Sequence, residues 1–336
     1  MKNNHGLSFL VFCYNSEHIV EKTLSKICRQ ERSHLSEIIV IDNNSTDNTY
    51  SIANEYLKKN SQVPFQVILE HRQGLNYARE RAISEAKLPF CIMVDDDNLL
   101  IGTNWIARIV ELFKDHPEVG VIGGGAIADT GDASLPLWWG RDFKLGDGEQ
   151  REDEGVFEPR KPSEMMRGAC LSLRTDVAQK CYQDLPMLLS DRAGTTTISS
   201  GGDIEIECRM MLRGCKAYYD KQLKFDHIIH PSRLNDSYLL RLFHGHKTIY
   251  PVHLAYHELL KRNKVRPLLL LLKALSYCCV HLIRSISSYL LPKTSKHYYK
   301  YYVNRIHINS LIGQYELYKK LKLYRSELNQ YLKNPA

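Results

Sequence analysis

Residues 90–98 read FCIMVDDDN, an apolar run that ends abruptly in three consecutive carboxylates. Five apolar residues in a row predict a strand buried on both faces, Phe90–Asp95, of the kind found in parallel sheets covered by helices. The same pattern repeats on either side. Toward the N-terminus, Leu7–Cys13, Glu37–Asp42 and Phe65–Glu70 read as strands, and Val119–Gly125 follows as a fifth. Between them lie helix-period segments. One runs from Ser16, a candidate N-cap, to Gln30; a second follows the turn Asn43–Asp47 and carries Ile52, Ala53, Tyr56 and Leu57 on one face. A third spans Leu75–Ala86, and a fourth, capped by Thr103, lines up Trp105, Ile106, Ile109, Val110 and Phe113. Strict alternation of strand and helix predicts an α/β fold with a mainly parallel sheet.

The regularity stops after Gly125. Residues 126–166 are rich in Gly, Pro, Asp and Glu and read as long loops. A strand at Met166–Arg174, a short helix at Thr175–Tyr182 and a helix from Asp203 to Leu212, with Ile204, Cys208, Met211 and Leu212 as its buried stripe, are expected next. Lys216–Tyr219 and Leu223–His227 read as a closing strand pair, and the chain beyond Asn235 as helices. This divides the chain into a body at 1–234, with halves at 1–125 and 126–234, and an extension at 235–336.

Ligands of open parallel sheets bind at the carboxyl ends of the strands. Here those ends are acidic: strand two closes in Asp42 and strand four in Asp95-Asp96-Asp97. Two like charges about 4 Å apart repel by roughly 4 kcal/mol at an effective dielectric near 20, so clustered carboxylates call for a counter-ion. Mg²⁺ or Mn²⁺, held by one or two carboxylates plus substrate phosphates, supplies one. A solvated acidic turn capping the next helix would carry the same residues. The chain has no GxGxxG after its first strand and no P-loop pattern, and Gly123-Gly124-Gly125 lacks the spacing of a phosphate-cradling loop, which excludes the common glycine-nest routes to phosphate.

Composition narrows the class further. The 336 residues carry a net charge of +7, divided into an acidic body (−6 over 1–260) and a basic tail (+13 from Lys261). Ten of the 20 tyrosines lie after residue 266, interleaved with Lys and Arg. The longest uncharged stretch of the tail, Ala274–Ile283, is about half of what a spanning helix needs. An interfacial helix on an anionic membrane surface is the expectation, with packing on the body or homodimer formation through these helices as alternatives, and no nucleic-acid partner. The nine cysteines are odd in number, scattered, and contain no CxxC pair, which predicts free thiols in a reducing compartment. The opening apolar run reads as a strand rather than a signal peptide. Pro136-Leu137-Trp138-Trp139 could either anchor its loop or stack on a sugar ring.

In this order, five segments resemble family 2 of the glycosyltransferases, the inverting family on the GT-A nucleotide-diphospho-sugar transferase fold. They are LSFLVFCYN (7–15), EIIVIDNNSTDNT (37–49), RQGLNYARERAI (72–83), FCIMVDDDN (90–98) and GGDIEIECRMMLRG (201–214). The resemblance implies a nucleoside-diphosphate sugar as donor. Asn15 and Asp42 would contact the base beside the Cys13–Tyr14 backbone, Arg79 would face the nucleotide side, Asp95 would hold the ribose with Asp96 next to it, and Asp97 would ligate Mn²⁺ or Mg²⁺. The run FDHIIHPSR (225–233) resembles the family's His-x-x-x-Pro-x-Arg, implying that His227, with His230 as competitor, reaches the metal or diphosphate, and that Arg233 accompanies it. Asp203, at a helix start that favours an ionised carboxylate, is the expected general base; an ordinary N-cap would look the same.

Departures from the pattern are Cys13 for proline, Asn44 for glycine and Gly202 for glutamate. The Gln-x-x-Arg-Trp element of processive synthases is absent after Leu239, so the expected reaction is transfer of one sugar, onto a saccharide or lipid-linked saccharide at the cytoplasmic face of the cell membrane. Two other readings are a sugar nucleotidyltransferase, which would need a Gly-rich loop after strand one, and a membrane-binding relative that has lost catalysis, hinted at by Gly202.

Overall fold

The computed structural model describes residues 5–136, 139, 147–184, 186–189, 191–192, 198, 200–245 and 249–262, together with 272, 276 and 279. Most of the basic tail, together with Leu137 and Trp138, lies outside the described residues. Trp139 itself is half-buried, and its N–H donates to the Pro136 carbonyl at 2.9 Å.

The first half follows the expected alternation: β1 Gly6–Cys13, α1 Val20–Cys28, β2 Leu35–Asp42, α2 Thr49–Asn60, β3 Phe65–Leu69, α3 Leu75–Glu85 and β4 Phe90–Asp95. β1 is buried at every position, as a central strand must be when both faces are covered. Its alternate residues feed two separate cores. Leu7, Phe9 and Val11 pack with α1, α2 and the later helix α4 (Trp105–Asp115), while Leu10 and Phe12 pack with α3, α5 (Thr175–Asp184) and α6 (Gly202–Leu212). Ser8, wholly buried between them, donates to Glu37 Oε1 at 2.7 Å.

The remaining strands are β5 Asn98–Leu100, β6 Val119–Asp129, β7 Gly155–Phe157, β8 Leu171–Arg174 and β9 Lys216–Ile228. Among the described residues, the nine-stranded sheet runs β3-β2-β1-β4-β8-β6-β9-β5, with β7 also on β9. β1 to β4 are mutually parallel and β6 is parallel to β9, whereas β8, β5 and β7 run antiparallel to their neighbours. The sheet is therefore mainly parallel, as expected.

Several local expectations are corrected. Ser16 does not cap α1: its hydroxyl is drawn to Asp96, and its carbonyl accepts the N–H groups of Ile19 and Val20. Thr103 precedes α4 by two residues and donates to Glu31 at 2.6 Å instead. The strand expected at Met166–Arg174 is ordered as such only over Leu171–Arg174. Lys216–Tyr219 and Leu223–His227 do not form a pair; they are one strand, continuous through Asp220–Gln222 and parallel to a β6 that extends four residues past Gly125. The Gly123–Gly125 run serves this long pairing. A Cβ at Gly124 would collide with the Leu223 carbonyl, so glycine is required by close strand approach.

α7 (Asp236–Gly245) and α8 (Ile249–Arg262) continue the helical reading past Asn235. α8 packs through Val252, Ala255, Tyr256 and Leu259 against Cys208 of α6 and against Leu189 in the segment before it. Among the described residues, no helix is long and apolar enough to cross a membrane, and every described cysteine is a free thiol.

Candidate active site

β1, β2 and β4 are parallel and in register, so their last residues, Cys13, Asp42 and Asp95, reach one edge of the sheet together. The Cys13 side chain turns into the core, where burial pushes its thiol well up. Only its backbone faces the edge, accepting the Asn43 N–H at 2.9 Å. Tyr14 is exposed. Asn15, with φ of +51°, accepts the Thr46 N–H at 2.8 Å and donates its own N–H to Ser45 at 2.9 Å, which ties the first loop to the second. Asp42 is buried and accepts the Ser45 N–H at 3.0 Å. Asn44 takes a φ of +63°, a conformation that glycine adopts freely and asparagine tolerates, so its substitution for glycine leaves this turn intact.

Asn43 had no sequence signal of its own, yet it organises this edge. Its amide donates to the carbonyls of Glu70 and Arg72 at 3.2 and 2.7 Å and accepts the Gly74 N–H at 2.8 Å, fastening the β2 end to the loop that starts α3.

The three carboxylates of the Asp95–Asp97 run have different surroundings. Asp96 is held by the Ser16 hydroxyl, and its carbonyl accepts from Thr23 at 2.5 Å. Burial and the adjacent Asp97 charge push its carboxyl up to about 7. Burial also raises Asp95, against the pull of Arg79 and Arg192. For Asp97 burial acts upward too, but His227 and Arg233 prevail and hold it below the usual carboxylate range. Arg233 Nη1 donates to Asp97 Oδ2 at 2.8 Å, and His227 Nε2 lies 3.8 Å from the same oxygen. The register brings His227 there: β9 pairs antiparallel with β5, setting His227 opposite Asn98. His230 is turned away, bonded to Ser232 at 2.8 Å and edge-on to His18.

Asp97 and His227 fit a divalent cation by donor chemistry. The carboxylate is favoured in its ionised form, and burial lowers the imidazole pKa, favouring the neutral form that ligates. His227 Nδ1 is buried with no hydrogen-bond partner among the described residues. No group of three or more His, Cys, Asp or Glu side chains converges on such a point among the described residues. Two protein donors would leave the other coordination positions to phosphate and water, the usual habit of Mg²⁺-type sites.

Arg79 does not line the edge. It is 4% exposed on α3, and its Nη1 donates to Asp191 Oδ2 at 2.6 Å, with Asp203 and Asp95 also within electrostatic reach. Asp203 opens α6 half-buried, and its Oδ2 accepts the Gly168 N–H at 2.7 Å. Beside it, a Cβ on Gly202 would run into the Asn76 side chain, whose amide donates to the Leu189 carbonyl; Asn76 occupies the space where a longer side chain at 202 would start.

The expected stripe on α6 is corrected. Ile204 and Leu212 are only half-buried, while Glu205, Glu207 and Arg209 are at most 2% exposed. Glu205 accepts from the N–H groups of Leu188 and Leu189, from Arg209 at 2.8 Å and from Tyr256 at 2.9 Å. Glu207 accepts the Met166 N–H at 3.1 Å, and burial raises its carboxyl well above the usual range.

A cleft of about 140 Å³ lies in front of these strand ends, lined by Tyr14, Asn43, Asp95, Asp96, Arg192 and Arg233 among others. The strand order, the acidic edge and the cleft over it define a GT-A fold. The same fold is seen in a mannosyltransferase from Pyrobaculum calidifontis solved with GDP-Man and Mn²⁺, with a TM-score of 0.53 at 15% identity over 92% of this chain and 87% of that one. Residues 8–169, just under half of the chain, match the model of Glycosyl transferase family 2. Over 119 residues, 35% of its length, the chain is 35% identical to the poly-beta-1,6-N-acetyl-D-glucosamine synthase of Staphylococcus epidermidis. It is 29% identical over 119 residues to the protein of that name in Staphylococcus aureus. In both cases the match spans 28% of the relative's length.

Proposed function

We propose that this protein is an inverting glycosyltransferase that moves a single sugar from a nucleoside-diphosphate donor to an acceptor hydroxyl. The observation that carries the reading is the corner where Asp97, His227 and Arg233 meet at the end of β4, beside a cleft lined by Asp95 and Asp96. In this reading the nucleotide base rests against Asn15, Asp42 and the Cys13–Tyr14 backbone, and the ribose against Asp95 with Asp96 next to it. Asp97 and His227 would hold Mn²⁺ or Mg²⁺, which when bound neutralises charge on the diphosphate.

Asp203 acts as general base. Its carboxylate sits at the N-terminal end of α6, and the Gly168 N–H fixes its orientation. The acceptor oxygen attacks the anomeric carbon as the bond to the diphosphate oxygen breaks, and the hydroxyl proton passes to Asp203. A single displacement of this kind inverts the anomeric centre. Such a base contributes roughly 10²- to 10⁴-fold.

Single-sugar transfer is supported by the missing Gln-x-x-Arg-Trp element after Leu239. A saccharide acceptor is supported by the names of the relatives, and a lipid-linked acceptor in surface polysaccharide assembly, at the inner face of the cell membrane, by the basic, tyrosine-rich sequence from Lys261. Calorimetric titration with UDP, GDP and dTDP, with and without Mn²⁺, tests the site. One of the three binds in the presence of Mn²⁺, and Asp97→Ala weakens that binding by about tenfold or more. Failure of all three to bind the wild-type protein would overturn the reading.

A further inference from the structure

Between α5 and α6 the chain returns to the cleft at Asp191 and Arg192. Both residues have positive φ, +39° and +49°, a conformation that residues with side chains keep only where their surroundings enforce it. The enforcement is visible on the Asp191 side. Its carboxylate, 2% exposed, accepts from Arg79 at 2.6 Å, and its carbonyl accepts the Leu75 N–H at 2.9 Å. Next to Leu75 on α3, the Asn76 amide donates to the Leu189 carbonyl. The start of α3 therefore holds this segment at three points.

Arg192, the next residue, is exposed and lines the cleft together with Arg233, Asp95 and Asp96. Its charge acts on Asp95, Asp97 and His227, so it stands over the same corner that Arg233 reaches from the Pro231–Arg233 turn after β9. An edge made of Asp42, Asp95, Asp96 and Asp97 repels a diphosphate. Guanidinium groups offset that repulsion, and their planar fork of N–H donors suits phosphate oxygens better than an ammonium does.

We propose that Arg192 binds the donor's diphosphate together with Arg233, and that the Arg79–Asp191 pair is the positioning device that presents it. A buried ion pair contributes little net stability compared with apolar packing, so fixing the placement of the adjacent residue is a fitting role for this one. Arg79 thereby acts on the nucleotide side through Asp191 rather than by touching the ligand. The inference rests on the reading of the cleft as a nucleoside-diphosphate site.

The test is the ratio of affinities for a nucleoside diphosphate and its monophosphate, UDP against UMP and GDP against GMP, measured by calorimetry in Mn²⁺ and again in EDTA. Arg192→Ala lowers the ratio about tenfold or more under both conditions while monophosphate affinity stays within about twofold, and Arg192→Lys retains part of the ratio. Asp191→Asn lowers it in the same sense. Monophosphate affinity is the internal control for folding, because a merely structural defect lowers both. A ratio unchanged in Arg192→Ala, or changed only in Mn²⁺, overturns the role of Arg192 and leaves the nucleotide site standing. A wild-type protein that binds neither diphosphate overturns the site and this inference together.

Discussion

Asp95-Asp96-Asp97 at the end of β4 and Asp203, Glu205 and Glu207 on α6 are two acidic triplets of the same chain that differ in what satisfies them. On α6 the partners are scaffold. Glu205 receives two backbone N–H groups, Arg209 and Tyr256, Glu207 receives the Met166 N–H on one oxygen while its Oε1 has no hydrogen-bond partner among the described residues, and both are sealed from solvent. At the strand end two of the three acids are balanced by cations, Asp97 by Arg233 and Asp95 by the buried Arg79 and by Arg192 at the cleft, while Asp96 is held by the Ser16 hydroxyl. A carboxylate whose acceptors are filled by the protein's own backbone builds the fold, whereas one balanced by charges at an open cleft is available to a ligand. Asp203 belongs to both sets. One oxygen is taken by the Gly168 N–H, yet it is only half-buried.

That contrast can be broken most directly at Asp203. Asp203→Asn keeps an acceptor for Gly168 but loses basicity, so transfer from the nucleotide sugar is expected to fall about 10²- to 10⁴-fold while the melting temperature moves little. A comparable loss of thermal stability would place Asp203 with the scaffold acids. Glu205→Ala probes the opposite member. It takes this carboxylate from Arg209, 2% exposed, and leaves two N–H groups without their acceptor, and should cost about 3–5 kcal/mol in denaturant unfolding. If unfolding is unchanged but nucleotide binding is lost, Glu205 is a ligand residue and the division fails.

A smaller effect sharpens the strand-end side. Asn43→Ala removes three hydrogen bonds that clamp the β2 edge to the start of α3, at a cost of about 1–3 kcal/mol. It should also weaken nucleoside-diphosphate binding by a few-fold, read by the same calorimetry. Loss of stability with unchanged binding would show that this edge does not need the clamp to receive a ligand.

Much of the fold could be read in the chain because strand and helix periodicity are local. β4 was expected at Phe90–Asp95 and is found there, and β1, β2 and α3 differ from expectation by one or two residues. The errors have a common origin. β5 is three residues long and exists because β9 pairs with it. β9 was divided because Asp220, Lys221 and Gln222 break the apolar pattern, yet Asp220 is buried by its ion pair with Arg108, 112 residues away. The apolar residues of α6 do not mark its whole buried face, because Glu205, Glu207 and Arg209 find their partners inside.

From the sequence alone came the alternation of strands and helices, and with it the expectation that Asp42 and Asp95–Asp97 stand at carboxyl ends of strands, since a period of two and a period of 3.6 are properties of short windows. The tertiary structure decided which acids meet which cations. Arg79 finds Asp191 across 112 residues and Arg233 finds Asp97 across 136, and no local pattern marks either pair. An aspartate is the same residue whether it is buried under a guanidinium, bonded to a backbone amide or open to a cleft. Its chemistry is set by neighbours that only the closing of the chain brings near.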